Sequence, residues 1–257
     1  MTALHVHSFG PRDAPAVLVV HGVTNTGARY RALAEGELPG ARVLAPDLRG
    51  HGHSIGDPPW SAERHVADLL ETLDAEGVGE ALVVGHSFGG LLSLHLAAAA
   101  PGRVRGIVLL DPAVQLPPAR AGAQAEEARH DEGWASREEA RTVRRALRPE
   151  HARGTVDEDL ATFLEDGEDG RVRFRYRRAA VVTAWSEMAR PAPSLAGYPG
   201  RVTLVAATLA DYVTPELRDA LRRDLGDRLT ETGIDAGHML FWDAPAEVGA
   251  IIRGALA

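Results

Sequence analysis

Short apolar runs alternate with longer stretches of helical periodicity, and this alternation limits the possible folds more than any other feature of the chain. Five runs are apolar almost throughout, at residues 16–20, 42–45, 81–84, 104–110 and 202–206. Runs of this kind are typical of strands covered on both faces. Helical periods lie between or after them, at residues 62–76, 89–100 and 244–256. The chain is therefore predicted to have an α/β fold, with a mostly parallel sheet and helices on both faces.

One long segment, residues 112–199, breaks this rhythm and is rich in Arg, Glu and Ala. Its local signals are the capping-box patterns Ser136-x-x-Glu139 and Thr155-x-x-Glu158, an alternating run at 171–178 and a helical period at 179–190. Capping boxes are typical of helix starts, so the segment is predicted to be mostly helical. We interpret it as a cap, or lid, inserted into the α/β core. The expected bounds are 1–111 and 198–257 for the core and 112–197 for the cap.

The charge balance and the cysteine content exclude several classes of function. With 28 Lys+Arg against 36 Asp+Glu, the formal net charge is −8, which argues against nucleic-acid binding. The chain has no cysteine, so a disulfide framework, a thiolate nucleophile and a zinc–thiolate site are excluded. The apolar runs are far shorter than the ~20 residues of a membrane span, and residues 1–10 lack the apolar core of a secretory signal. We therefore expect a cytoplasmic protein with no membrane span.

The clearest chemical motif is Gly85-His86-Ser87-Phe88-Gly89, which directly follows one apolar run and precedes an apolar helical stretch. This is the G-x-S-x-G pattern in the strand–turn–helix setting of a nucleophile elbow. A turn this sharp requires glycine on both sides of the serine. The helix start offers free N–H groups to developing negative charge. Ser87 is therefore the predicted nucleophile.

A serine hydroxyl needs a base to take its proton, and the base needs an acid to orient it. His238 is the best candidate base, because it lies on a glycine-containing loop between the last predicted strand and the last helix. Asp211 follows the run at 202–206 and is the preferred acid, since the chain order Ser–Asp–His is typical of this constellation. Asp111, at the end of the run 104–110, is the alternative acid.

Two backbone amides are candidates for the oxyanion hole. The segment His21-Gly22-Val23 follows the first predicted buried strand, and Gly22 allows the backbone to approach a substrate oxygen closely. The amides of Val23 and Phe88 are therefore predicted to bind the oxyanion together.

These motifs, in this order, resemble the α/β-hydrolase superfamily over residues 3–110 and 198–257. The motifs that carry the resemblance are His21-Gly22, Asp47-Leu-Arg-Gly-His-Gly-His-Ser54, the elbow around Ser87, the Asp211 loop and the His238 loop. The resemblance implies an eight-stranded, mostly parallel sheet with a cap, and it is nearest to the esterase- and lipase-like serine hydrolases. It also implies that Ser87, Asp211 and His238 are the nucleophile, acid and base.

The sequence thus predicts a hydrolase that cleaves a carboxylic ester or a related lactone or thioester, with no metal and no organic cofactor. Alternatives are a C–C bond hydrolase or a cofactor-free haloperoxidase of the same fold, and a ligand-binding or sensing protein with a vestigial triad. His51-Gly52-His53 is interpreted as turn structure rather than a metal site. The expected partner is a small hydrophobic or acyl substrate. Its predicted pocket residues are His86, Trp134, Tyr176, Trp185 and Met188.

Overall fold

The structure is a computed structural model that describes residues 4–146 and 153–257. Its strands are β1 (Val6–Phe9), β2 (Ala16–Val20), β3 (Arg42–Pro46), β4 (Ala81–His86), β5 (Val104–Leu110), β6 (Leu164–Asp166), β7 (Val172–Phe174), β8 (Arg201–Ala207) and β9 (Leu229–Ile234). Its α-helices are α1 (Arg31–Glu37), α2 (Ala62–Ala75), α3 (Phe88–Ala99), α4 (Pro118–Arg129), α5 (Arg137–Ala146), α6 (Arg153–Phe163), α7 (Arg178–Met188), α8 (Pro215–Leu225), α9 (Leu240–Asp243) and α10 (Pro245–Leu256).

The main sheet of the described residues has seven strands in the order β1-β3-β2-β4-β5-β8-β9. All neighbouring pairs are parallel except the edge strand β1, which runs antiparallel to β3 with Val6 opposite Pro46. The α/β prediction is confirmed, whereas the expected number of eight strands is wrong by one. The described residues before β2 form a single strand, which lies at the edge of the sheet.

Helices cover both faces of the sheet, and each face has its own apolar core. One core packs α2, α3 and α8 against the sheet through residues such as Leu69, Leu92 and Leu221. The other packs α1, α9 and α10 through residues such as Leu33 and Ile252. Strands β2 and β4 are buried throughout or nearly so, which is why they are apolar along their length rather than alternating.

The segment between β5 and β8 contains α4 to α7 and the small antiparallel hairpin of β6 and β7. Ser136 begins α5 as the capping box predicts, since its Oγ accepts the Glu139 amide at 3.1 Å. The side chains of the second capping box, Thr155 and Glu158, lie outside the described residues. A small apolar cluster around Leu160 and Phe174 stabilises this segment. Its role as a cap over residues 112–197 stays our prediction.

Within the residues that the structure describes, none of the helices is both long and apolar enough to cross a membrane.

Candidate active site

Ser87 lies in a strained turn between β4 and α3. Its backbone has φ 55° and ψ −118°, a left-handed conformation that costs energy for any residue with a side chain. The turn is held by the Ser87 amide, which donates to the Leu110 carbonyl at 3.2 Å, and by the Ser87 carbonyl, which accepts from the amides of Gly90 and Ala113. The predicted elbow geometry is therefore present at this serine.

Glycines allow the backbones around Ser87 to pack closely. A Cβ on Gly89 would collide with the Val20 carbonyl oxygen, and one on Gly85 would collide with the Ser93 hydroxyl and the Gly89 carbonyl. A Cβ on Gly22 would lie 2.9 Å from Cβ of Ser87, closer than real Cβ atoms approach. The loop after β2 therefore passes directly beside the serine, as an oxyanion loop must.

His238 forms its shortest side-chain contact with Asp111. The imidazole Nδ1 lies 2.6 Å from the Asp111 carboxylate, and the Asp111 side chain is only 1% exposed. The other carboxylate oxygen accepts the Ala207 amide at 3.2 Å, and the Asp111 amide donates to Val205 at 2.8 Å. Neighbouring strand ends therefore hold this carboxylate rigidly against the imidazole.

The structure contradicts the expected contact between Asp211 and His238. The Asp211 side chain is 85% exposed and forms an ion pair of 2.8 Å with Arg120 in α4. Asp211 comes four residues after the end of β8, so the loop carries it out to the solvent. Asp111 comes immediately after β5, where the sheet itself fixes its position. Asp111, the alternative acid weighed from the sequence, is therefore the aspartate that contacts His238.

Ser87 and His238 line the same cavity, with a volume of about 180 Å³. Of the residues predicted for the site, Val23, His86 and Trp185 also line it. Phe88 is fully buried, and as the first residue of α3 its amide has no acceptor within the helix. Both predicted oxyanion residues therefore lie next to Ser87.

Three predicted pocket residues lie elsewhere, which corrects the sequence interpretation. Met188 is fully buried in the apolar core on the side of the sheet that α2, α3 and α8 cover. Trp134 packs edge-on against Phe174, with ring centroids 5.4 Å apart. Tyr176 donates to Asp131 at 2.5 Å and borders a different cavity. Trp134 and Tyr176 thus stabilise the inserted segment. Trp134 does so through the contact of its ring with Phe174, and Tyr176 through the hydrogen bond of its hydroxyl to Asp131.

Gly22, which the sequence analysis placed in the oxyanion segment, also lines the cavity. Further lining residues were not predicted from the sequence: Thr24, Asn25, Arg29, Arg144, Tyr212 and Met239. Three of them had a usable signal, since Thr24 and Asn25 directly follow the oxyanion loop and Met239 follows His238. Tyr212 follows Asp211, but its loop was interpreted through the aspartate alone. Arg29 comes six residues after Val23 but belongs to no motif, and Arg144 lies far from the chemical motifs along the chain. Only the fold brings these two side chains here.

His21 stabilises the loop after β2, the predicted oxyanion loop, through both nitrogens of its ring. Its Nδ1 lies 2.7 Å from the Gly22 carbonyl, and its Nε2 accepts the Leu48 amide at 2.8 Å. Burial, with a smaller contribution from nearby His51, lowers the pKa of His21 to about 3. The imidazole is therefore neutral near pH 7, with Nδ1 as the donor and Nε2 as the acceptor.

Two histidines near Asp47 have the spacing of metal ligands, but the Asp47 carboxylate already accepts hydrogen bonds from the protein. The donor atoms of His5, His7 and Asp47 lie within 4.8 Å of one another. The Asp47 carboxylate already accepts the amides of Gly27 and His53 at 2.8 and 2.9 Å. Burial alone would raise the pKa of Asp47, but hydrogen bonds from His7 and His53 hold it at about 2.

Comparison with known proteins agrees with this architecture. The sequence profile of the alpha/beta hydrolase family matches residues 17–251. The chain belongs to the alpha/beta hydrolase family. It is 38% identical to lipase LipV of Mycobacterium tuberculosis, over 98% of this chain and 97% of that protein. It is 25% identical to esterase YbfF of Escherichia coli, over 98% and 95% of the two chains.

Among solved structures, an E-2-(acetamidomethylene)succinate hydrolase superposes with a TM-score of 0.86 at 20% identity, covering 98% of this chain and 94% of that one. At this identity the superposition establishes the shared fold.

Proposed function

We propose that this member of the family is a serine hydrolase that cleaves a carboxylic ester, or a related lactone or thioester, through an acyl-enzyme. Ser87 is the proposed nucleophile, His238 the base and Asp111 the acid. The observation that carries the proposal is the 2.6 Å contact between His238 and Asp111, made in the cavity that the strained Ser87 also lines.

The proposed chemistry follows from the hydrogen bonding of His238. An ionised carboxylate only accepts, so the contact with Asp111 places a proton on Nδ1 and leaves the Nε2 lone pair available. Nε2 takes the Ser87 hydroxyl proton as Oγ attacks the acyl carbon, and the Val23 and Phe88 amides donate to the oxyanion. The imidazolium then protonates the leaving group. Water, activated by the same imidazole, finally releases the acid and restores Ser87, and none of these steps uses a cofactor.

The size of the cavity supports a small acyl group. At about 180 Å³, it lies below the roughly 300 Å³ at which pockets for drug-sized ligands begin. The relatives named a lipase and an esterase support ester chemistry. We therefore infer that short-chain esters are better substrates than long-chain ones.

The first test replaces the nucleophile. We expect Ser87→Ala to lower the kcat for p-nitrophenyl acetate or butyrate by at least about 10⁴-fold, because the proposed acyl-enzyme forms on the Ser87 Oγ. A fluorophosphonate probe should label the parent protein at Ser87 and leave the variant unlabelled. Circular dichroism and thermal unfolding check that the variant is folded.

The matched control is Ser8→Ala, at an exposed position of the edge strand β1, which should keep full activity and labelling. Unchanged turnover by Ser87→Ala would remove Ser87 from the mechanism. A folded parent that binds a small hydrophobic molecule tightly but hydrolyses no ester would instead indicate a sensing protein. Turnover of a vinylogous diketone, or halide-dependent oxidation, in place of ester cleavage would indicate one of the other enzymatic alternatives.

A further inference from the structure

Tyr212 packs face to face with the imidazole of His238. The two ring centroids are 4.0 Å apart and the ring planes differ by 29°. Tyr212 is partly buried and also lines the cavity with Ser87. Its ring is thus in direct contact with the proposed base, although the proposed chemistry gives it no role.

A third group, from the inserted segment, packs against the Tyr212 ring. The guanidinium of Arg120, on α4, lies 4.3 Å from the centre of the Tyr212 ring, a cation–π distance. One face of a phenol ring has room for only one group at such distances, so Arg120 and His238 occupy opposite faces of Tyr212. Arg120, Tyr212 and His238 therefore form a three-layer stack.

Arg120 is itself held in place by the residue that precedes Tyr212. Its guanidinium donates to the Asp211 carbonyl oxygen at 3.0 Å and to the Asp211 carboxylate at 2.8 Å. These two bonds orient the planar guanidinium, as paired donors of an arginine do. Asp211 therefore contributes to the site indirectly, by holding the arginine that covers Tyr212.

The other contacts of His238 do not fix the tilt of its ring. The hydrogen bond to Asp111 fixes the position of Nδ1 but leaves the ring free to tilt about that bond. The His86 Nε2 lies 2.8 Å from the His238 carbonyl oxygen and so fixes the backbone of His238. The centroids of the two imidazole rings are 4.6 Å apart and their planes differ by 44°, so His86 contacts the His238 ring at an angle. The Tyr212 face is the surface that runs nearly parallel to the imidazole and restricts its tilt.

We propose that Tyr212 is a positioning residue that keeps the His238 ring from tilting about its bond to Asp111, so that Nε2 can take the Ser87 proton, and that Arg120 of α4 supports Tyr212 from the opposite face. The inference rests on the proposed function. It gives the inserted segment a part in catalysis, because α4 then stabilises the base through one intervening ring. The expected consequence is an effect on the chemical step rather than on substrate binding.

The test compares Tyr212→Leu with the conservative variant Tyr212→Phe, using p-nitrophenyl butyrate. Leucine keeps an apolar side chain but removes the flat face, so we expect kcat to fall about 10- to 100-fold with KM changed far less. Phenylalanine keeps the face, so kcat should stay within about threefold of the parent value. The rate of fluorophosphonate labelling of Ser87 should follow kcat, because both depend on the base.

A spectroscopic readout separates positioning from general stability. The proton between His238 Nδ1 and Asp111 should give a downfield proton resonance in the parent and in Tyr212→Phe, and a broadened or absent one in Tyr212→Leu. Arg120→Met, which keeps the alkyl stem but removes the cation, should lower kcat by a smaller factor than Tyr212→Leu.

Two results would overturn the proposal while leaving the proposed function intact. One is a Tyr212→Leu variant whose KM rises while kcat and labelling stay unchanged, which would make Tyr212 a substrate contact. The other is a Tyr212→Phe variant that is as impaired as Tyr212→Leu, which would assign the effect to the phenol hydroxyl. Failure of the proposed function is recognised separately, by a Ser87→Ala variant that remains active.

Discussion

The loops that follow β5 and β8 each carry an aspartate near the candidate site, yet only one of the two contacts His238. Asp111 begins its loop, is almost fully buried, and is bonded to the end of the next strand through both its amide and its carboxylate. Asp211 lies four residues into its loop, is exposed, and bonds to Arg120. A carboxylate at a strand end is held in place by hydrogen bonds to the neighbouring strand, whereas the position of one further along a loop depends on its local partners. In this chain the aspartate at the strand end is therefore the one that contacts His238.

The largest expected effect comes from replacing the two aspartates in turn. Asp111→Asn keeps the shape of the side chain, but its amide group can donate to Nδ1 and so favours the tautomer whose Nε2 carries a proton. We expect kcat to fall by about 10⁴-fold, as for a triad with the wrong tautomer. Asp211→Asn keeps the carbonyl contact to Arg120 and should cost less than about tenfold, since an exposed ion pair contributes little.

The measurement is kcat and KM for p-nitrophenyl butyrate, with thermal unfolding to confirm that both variants are folded. The reverse pattern, an impaired Asp211→Asn with a near-normal Asp111→Asn, would return the acid to the loop after β8. Equal losses would mean that neither carboxylate acts alone.

The contrast between buried and exposed contacts also applies to two ion pairs of the inserted segment. Arg29 and Asp159 are each 3% exposed and meet through two contacts of 2.5 and 2.6 Å. Asp159→Ala leaves the Arg29 charge buried and unpaired, so we expect the free energy of unfolding to fall by about 3–5 kcal/mol. Asp211→Ala removes only the exposed partner of Arg120, and it should cost less than about 1 kcal/mol.

Urea unfolding followed by circular dichroism measures both losses. A double variant, Arg29→Met with Asp159→Leu, tests the cause, because an apolar pair leaves no buried charge and should recover most of the lost stability. If Asp159→Ala proves as mild as Asp211→Ala, burial does not govern the strength of these contacts.

The sequence predicted the parts of the site that depend on local geometry. The elbow at Ser87 requires flanking glycines and an adjoining strand and helix, and all of these are visible within a few residues. The apolar strands are equally local signals, because a strand covered on both faces is apolar along its length. These features were predicted without knowledge of which strands are neighbours.

The parts that failed depend on which elements meet in space. Asp111 and Asp211 both follow apolar runs, and only the pairing of β5 with β8 places the Asp111 carboxylate beside the Ala207 amide. The rings of Trp134 and Tyr176 suit a substrate pocket as well as they suit packing within the inserted segment. Composition cannot distinguish these uses, since both bury the same aromatic surface.

The difference between buried and exposed groups also applies to the histidines, and it predicts how the free energy of unfolding depends on pH. Burial is the main cause that lowers the pKa of His21 and His65 to about 3 and of His51 to about 4. In the unfolded chain each histidine binds a proton below about pH 6.5. Between these values the unfolded state therefore binds protons that the folded state does not, so stability falls as the pH is lowered.

Each buried histidine should contribute a slope of up to about 1.4 kcal/mol per pH unit to the free energy of unfolding below pH 6.5. Urea unfolding at several values between pH 5 and 7.5 measures the sum of these slopes. His65→Leu removes one of the titrating groups and should reduce the slope by about one proton, whatever its effect on stability at pH 7.5. A slope that His65→Leu does not alter would mean that the folded protein accommodates a proton at this site, and the contrast between buried and exposed positions would then not extend to the histidines.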